Sequence, residues 1–158
     1  MAIVVVGAVF VFQIFQRDAA AQMSDGEVAV QGASLVVAAS SGNGTGLLSI
    51  TVENSGSKPV TSMALSINNV LQSAAACPPP APPAPPVTPT FCVGNMAVTE
   101  ANALAPNQLT TATGTPAQAP KNVLMKFVVD QSYPYSVEVT FSDGSTYVVG
   151  GSVVATSS

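Results

Sequence analysis

The chain has 158 residues, of which 47% are hydrophobic and only 8% charged, with a net charge of −4. Its basic residues are Arg17, Lys58, Lys121 and Lys126, too few and too scattered to neutralise phosphates, which argues against nucleic acid and anionic membrane surfaces as partners. Histidine is absent, so the commonest general base and metal ligand are missing, and two cysteines cannot build a four-cysteine zinc site.

Residues 1–16 (MAIVVVGAVFVFQIFQ) carry no charge, and only Gln13 and Gln16 are polar. Arg17, Asp18, an alanine run and Ser24-Asp25-Gly26 follow. The β-branched residues give only middling helix propensity. In an apolar medium, however, a helix satisfies its own backbone hydrogen bonds within one stretch of chain. The segment is therefore expected to be helical to about residue 25, with Gly26 as its stop.

Three readings of this segment compete. A cleaved secretory signal fits the small residues Ala19 and Ala21, but no basic region precedes Ile3. A permanent anchor is short, because sixteen helical residues span roughly 24 Å against a hydrocarbon core of about 30 Å. The third reading is a helix that waits in the membrane and then packs against identical helices in a polymer. A helix apolar on every face suits such a bundle, and the segment is expected to remain in the mature protein.

From Glu27 onward the period shortens. Val28 and Val30 alternate, and Leu35, Val36 and Val37 run together. Residues 40–46 (SSGNGTG) read as a turn. Residues 47–53 (LLSITVE) read as a strand with Leu48, Ile50 and Val52 on one face. After a turn at 54–58, residues 60–67 put Met63, Leu65 and Ile67 on one face. Residues 78–90 are dominated by proline, which lacks a ladder donor and favours a polyproline II surface loop. Residues 105–121 are again low in complexity, with a short strand expected at 109–113. Strands are expected at 122–130, 135–141 and 146–155, the last two joined by a hairpin turn with the Asp143-Gly144 signal. In 135–141, Tyr135, Val137, Val139 and Phe141 face one way, so one face is buried and the other wet.

The expected fold class is α+β: one N-terminal apolar helix followed by an all-β Ig-like sandwich of about six to eight strands. The expected domains are a membrane and polymerisation helix over 1–26 and a β-sandwich over 27–158, with the proline-rich loop at 78–90.

Cys77 and Cys92 flank that loop at a spacing unlike a redox motif. A disulfide between them would close a loop of about 16 residues, worth roughly 3 kcal/mol before allowance for the stiff proline run. It would imply an oxidising compartment, such as an extracellular setting, or a thermophile. Asn43-Gly44-Thr45 is a candidate N-glycosylation sequon, with Asn43 as acceptor. The acids Asp18, Asp25, Glu27, Glu53, Glu100, Asp130, Glu138 and Asp143 form no motif of metal-ligand spacing, and no serine has a histidine to activate it. No catalytic, cofactor or metal site is expected, and the chain does not read as an enzyme.

An apolar N-terminal helix without a charged start, followed at once by a β-domain, resembles mature archaeal type IV pilins. Bacterial type IV pilins carry a Glu at the fifth mature position, where this chain has Val5. Residues 135–146 (YSVEVTFSDGST) are similar to the closing hairpin of archaeal pilins and archaellins. The resemblance implies that a basic leader is removed ahead of the helix, with Met1 as a processed start. It also implies that pilus assembly machinery moves the helix from membrane to filament. The implied function is a subunit of an extracellular, cell-surface adhesive filament, a homopolymer whose main partner is itself. Ile3, Val4, Val5, Val6, Gly7, Val9, Phe10, Val11, Phe12, Ile14 and Phe15 would form the polymerisation helix. The alternatives are an archaellin of a swimming filament and a membrane-anchored surface domain that never polymerises. Glycans are further expected partners.

Overall fold

A computed structural model describes residues 27–38, 43–72, 77, 88–118 and 123–158. In chain order the strands are β1 (Val28–Val37), β2 (Asn43–Asn54), β3 (Val60–Ile67), β4 (Val70–Leu71), β5 (Phe91–Val93), β6 (Met96–Ala97), β7 (Leu109–Gly114), β8 (Ala117–Gln118), β9 (Val123–Leu124), β10 (Lys126–Val128), β11 (Ser132–Phe141) and β12 (Thr146–Ser157).

The described residues correct the expected fold class. They are all-β and form one curled ten-stranded sheet, a half-barrel, instead of a helix with a separate two-sheet sandwich. The helix expected over residues 1–26 lies outside the described residues. Along the sheet the order is β4-β3-β11-β12-β1-β2-β7-β5-β6, and β10 pairs with β2. The two halves join because β12 serves both. It pairs antiparallel with β11 from Thr146 to Val154, then parallel with β1 from Ala155 to Ser157. Strands β8 and β9 form a small separate sheet.

The concave face holds a single core. Leu35, Val37, Leu48, Ile50 and Val52 from one half meet Leu65, Ile67, Val137, Val139 and Phe141 from the other. The alternation in 47–53, 60–67 and 135–141 therefore reads as burial, as expected. Strand β1 changes parity at a bulge between Val30 and Gly32, which inserts an extra residue into one strand. Before the bulge Val28 points inward; after it Leu35 and Val37 do.

Several boundaries differ from expectation. The expected turn at 40–46 becomes strand from Asn43 onward, and its glycines explain why. Gly46 lies so close to Leu35 and Phe127 that an added Cβ would sit 2.6 Å from the leucine Cδ1 and 3.0 Å from the phenylalanine Cδ2. The small residue lets β10 cross and bury Phe127 completely. The strand expected at 122–130 is broken into β9 and β10 at Met125 and ends in a turn where Asp130 takes a φ of 71°.

Strand β11 starts three residues early and contains Pro134. Its carbonyl accepts the Asn68 amide, so its missing N–H faces the Asn68-Asn69 turn, where no ladder strand needs a donor. Both asparagines of that turn have positive φ (51° and 65°), as do Gly94 and Asn95 between β5 and β6. These are two-residue hairpin loops of the type whose twist matches the strands. The hairpin over 142–145 forms as expected, with Gly144 at φ 87°.

Candidate functional site

Glu27 is the first described residue, so its surroundings define the pole at which the β-domain begins. The Glu27 carbonyl accepts the amides of Ser55 (3.2 Å) and Gly56 (3.1 Å). The next residue, Val28, is already paired with Asn54 in the β1–β2 ladder. Partial burial raises the Glu27 carboxyl above its ordinary pKa.

Asn54 organises this pole. It is fully buried, and a buried amide is costly unless its donors and acceptor are used. Its Nδ2 donates to the carbonyls of Lys58 (2.7 Å) and Leu104 (3.0 Å), and its Oδ1 accepts the Gly56 amide (3.1 Å). Its backbone N–H donates to Gln108 O and its carbonyl accepts the Asn107 amide. One side chain thus ties the end of β2 to the 55–58 turn and the 104–108 segment. The closing hairpin joins them. Ser142 donates its amide to Pro59 O, and Lys58 Nζ lies 2.6 Å from Asp143 Oδ2. The lysine, helped by hydrogen bonds from Ser145, holds the Asp143 carboxyl well below the usual carboxylate range.

At the other end of β2 stands Asn43, the sequon acceptor, exposed and paired with Val128 of β10. Twelve strand residues separate the poles by about 37 Å. Cys77 and Cys92 form a disulfide, with Cα atoms 6.2 Å apart. The bridge fastens the proline-rich connection to β5, whose Cys92 carbonyl accepts the Thr110 hydroxyl. Residues 78–87 within that connection lie outside the described residues.

The convex face is poor in charge. Ser49 and Thr113 lie 3.3 Å apart, and Thr51 and Thr111 2.9 Å apart, forming a ladder of hydroxyl pairs across β2 and β7. Gln31 Nε2 donates to Glu53 at 2.6 Å on the same surface. Among the described residues no three His, Cys, Asp or Glu side chains cluster as a metal site, and no helix is long and apolar enough to cross a membrane. The residues expected to form a polymerisation helix, Ile3, Val4, Val5, Val6, Gly7, Val9, Phe10, Val11, Phe12, Ile14 and Phe15, all lie outside the described residues.

Asn54 is the residue that sequence reasoning passes over. A lone asparagine before Ser-Gly reads only as the start of a turn, and nothing local reports that residue 104 will fold against it. The Asn68-Asn69 and Gly94-Asn95 pairs carry a legible hairpin signal. No protein-family model matches the chain, and no curated protein matches it.

Proposed function

We propose that the chain is the structural subunit of an extracellular filament of the type IV pilus kind, polymerised through its apolar N-terminal segment. The observation that carries this reading is the order of the chain: an uncharged apolar stretch over residues 1–16, the ten residues 17–26 with Arg17, Asp18 and Asp25, then a β-domain that begins at Glu27. Glu27 enters that β-domain at a pole cross-tied by Asn54. That arrangement suits a subunit whose apolar segment is gathered at a filament centre while the β-domain coats the outside. The low-charge convex face and the resemblance to archaeal type IV pilins support it, and the disulfide fits an oxidising exterior.

Before assembly the segment's apolar side chains are in lipid, so moving them against copies of themselves gains little transfer free energy. Packing and interhelical hydrogen bonds then hold the polymer, with Gly7 and Ala8 allowing close approach and Gln13 and Gln16 supplying polar contacts. The contact is head-to-tail, because an open helical polymer requires a heterologous interface. Asn43, at the pole remote from Glu27, stays available for a glycan.

The test is Val6→Asp in the full chain. A charge in the shared apolar bundle abolishes filaments seen by negative-stain electron microscopy, while the disulfide and the β-domain remain intact. Normal filaments from this variant would overturn the proposal.

A further inference from the structure

The acceptor of an N-x-T motif is expected in a surface loop. Asn43 instead opens strand β2, and β10 pairs antiparallel with the whole motif. Val128 lies opposite Asn43, Phe127 opposite Gly44 and Lys126 opposite Thr45. On the other edge of β2 the Thr45 carbonyl accepts the Ala38 amide at 3.0 Å. Gly44 is buried, whereas Asn43 is exposed.

Strand β10 is firmly seated over this motif. Phe127 is fully buried beside Gly46, and its ring meets that of Tyr133 edge-on with centroids 5.0 Å apart. The Tyr133 hydroxyl accepts the Val128 amide at 2.8 Å. Freeing residues 43–45 from that side therefore means withdrawing a buried aromatic ring.

We propose that Asn43 receives its glycan before β10 docks, and that the folded domain then closes the acceptor to the transferring enzyme while leaving room for the attached sugar. The motif is read at both Asn43 and Thr45, so an enzyme must surround a stretch of backbone that the finished sheet holds on both edges. In the transfer, Asn43 Nδ2 bonds to the anomeric carbon of a sugar carried on a lipid phosphate or pyrophosphate. The bond from that carbon to the phosphate oxygen breaks, the phosphate leaves with the electron pair, and one amide proton passes to a basic group of the enzyme.

The order of the chain supplies the interval. Strand β10 follows Asn43 by about 80 residues, which at about 5–20 residues per second of synthesis is about 4–16 s. A typical enzymatic turnover of about 0.1 s is short against that. The finished fold has a place for the product. Asn43, Thr45 and Leu47 share one face of β2 by alternation, with Val128 beside Asn43, and Leu47 and Val128 are 50% and 41% exposed. A sugar attached early covers apolar surface that the bare domain leaves in water. The inference rests on a glycan at Asn43 and is independent of the filament.

The test is one of order of addition. The full chain is synthesised cell-free with a purified oligosaccharyltransferase and its lipid-linked donor present from the start, or with both added once synthesis and folding are complete. Intact mass reads the added sugar. Transfer is expected to be at least about tenfold greater in the first order, because a site closed by structure reacts only through its open population. Thr45→Ala is expected to abolish transfer in both orders, which fixes Asn43 as the acceptor. Gly46→Val crowds Phe127 and is expected to raise transfer on late addition. Tyr133→Phe, which removes only the hydroxyl holding the Val128 amide, keeps the fold and raises it less. Equal transfer to the wild-type chain in both orders overturns the closure, and no transfer in either order overturns Asn43 as an acceptor. Neither result touches the filament reading, and normal filaments from Val6→Asp would leave this order of events standing.

Discussion

Replacing Asn54 with alanine tests the account of the pole most directly. The substitution removes three side-chain hydrogen bonds in a fully buried position. The partners do not suffer equally. Gly56 N still reaches Glu27 O, and Leu104 O still accepts the Val60 amide, so two of the three partners keep another bond. Three bonds at about 1 kcal/mol net each, moderated by the two surviving contacts, give a loss of about 2–3 kcal/mol. For a domain of this size that lowers the melting temperature by about 10 °C. Urea denaturation of the full chain measures the loss, and hydrogen exchange locates it: amides of 55–60 and 104–108 should gain exchange before the rest.

Asn54→Asp sharpens the test, since it keeps the shape but puts an oxygen against the Lys58 and Leu104 carbonyls. The folded state then favours the protonated acid, so its pKa is raised above the unfolded value. Stability is best below about pH 4 and falls as pH rises through the folded pKa. A loss under about 0.5 kcal/mol for the alanine variant, or an aspartate variant that grows more stable with rising pH, would refute the reasoning.

Gly46→Val forces a side chain into space held by Leu35 and Phe127, both fully buried; a lower urea midpoint, by about 1–3 kcal/mol, is expected. Cys77→Ser with Cys92→Ser removes the closure of a loop of about 16 residues, so stability falls by no more than about 3 kcal/mol. Comparing reduced and oxidised wild-type chain gives the same difference if the bridge acts alone. Asp143→Asn removes a carboxylate whose folded pKa is depressed, a contribution present at neutral pH and lost as pH falls through the folded pKa. The variant should show a flatter acid limb in low salt than the parent, and the difference should shrink in high salt because the pair is exposed.

The parts of the fold that are legible in the sequence are those where one face is buried along a whole strand. Residues 47–53 and 135–141 alternate cleanly because every second side chain meets the core. Strand β1 is harder to read, since its bulge moves the inward positions from Val28 to Leu35 across a change of parity. The union of the two halves is not legible at all. Over residues 146–152, β12 is largely exposed on both faces, so its pattern carries no record of what lies beside it, and the three-residue ladder to β1 is too short to mark the sequence. The pole at Glu27 is half legible: the apolar segment stands out by composition, whereas Asn54 owes its role to residue 104, which folding alone brings near.

The parallel ladder between β1 and β12 also sets an order of events. Leu35 and Ala155 are about 120 residues apart in sequence, and contacts of such separation form late because a large loop must close first. The half-barrel cannot close until its last strand has arrived. Until then the concave faces of both halves stay open to water. A chain still being made is therefore kept from its finished shape until residues 155–157 are free to pair with β1.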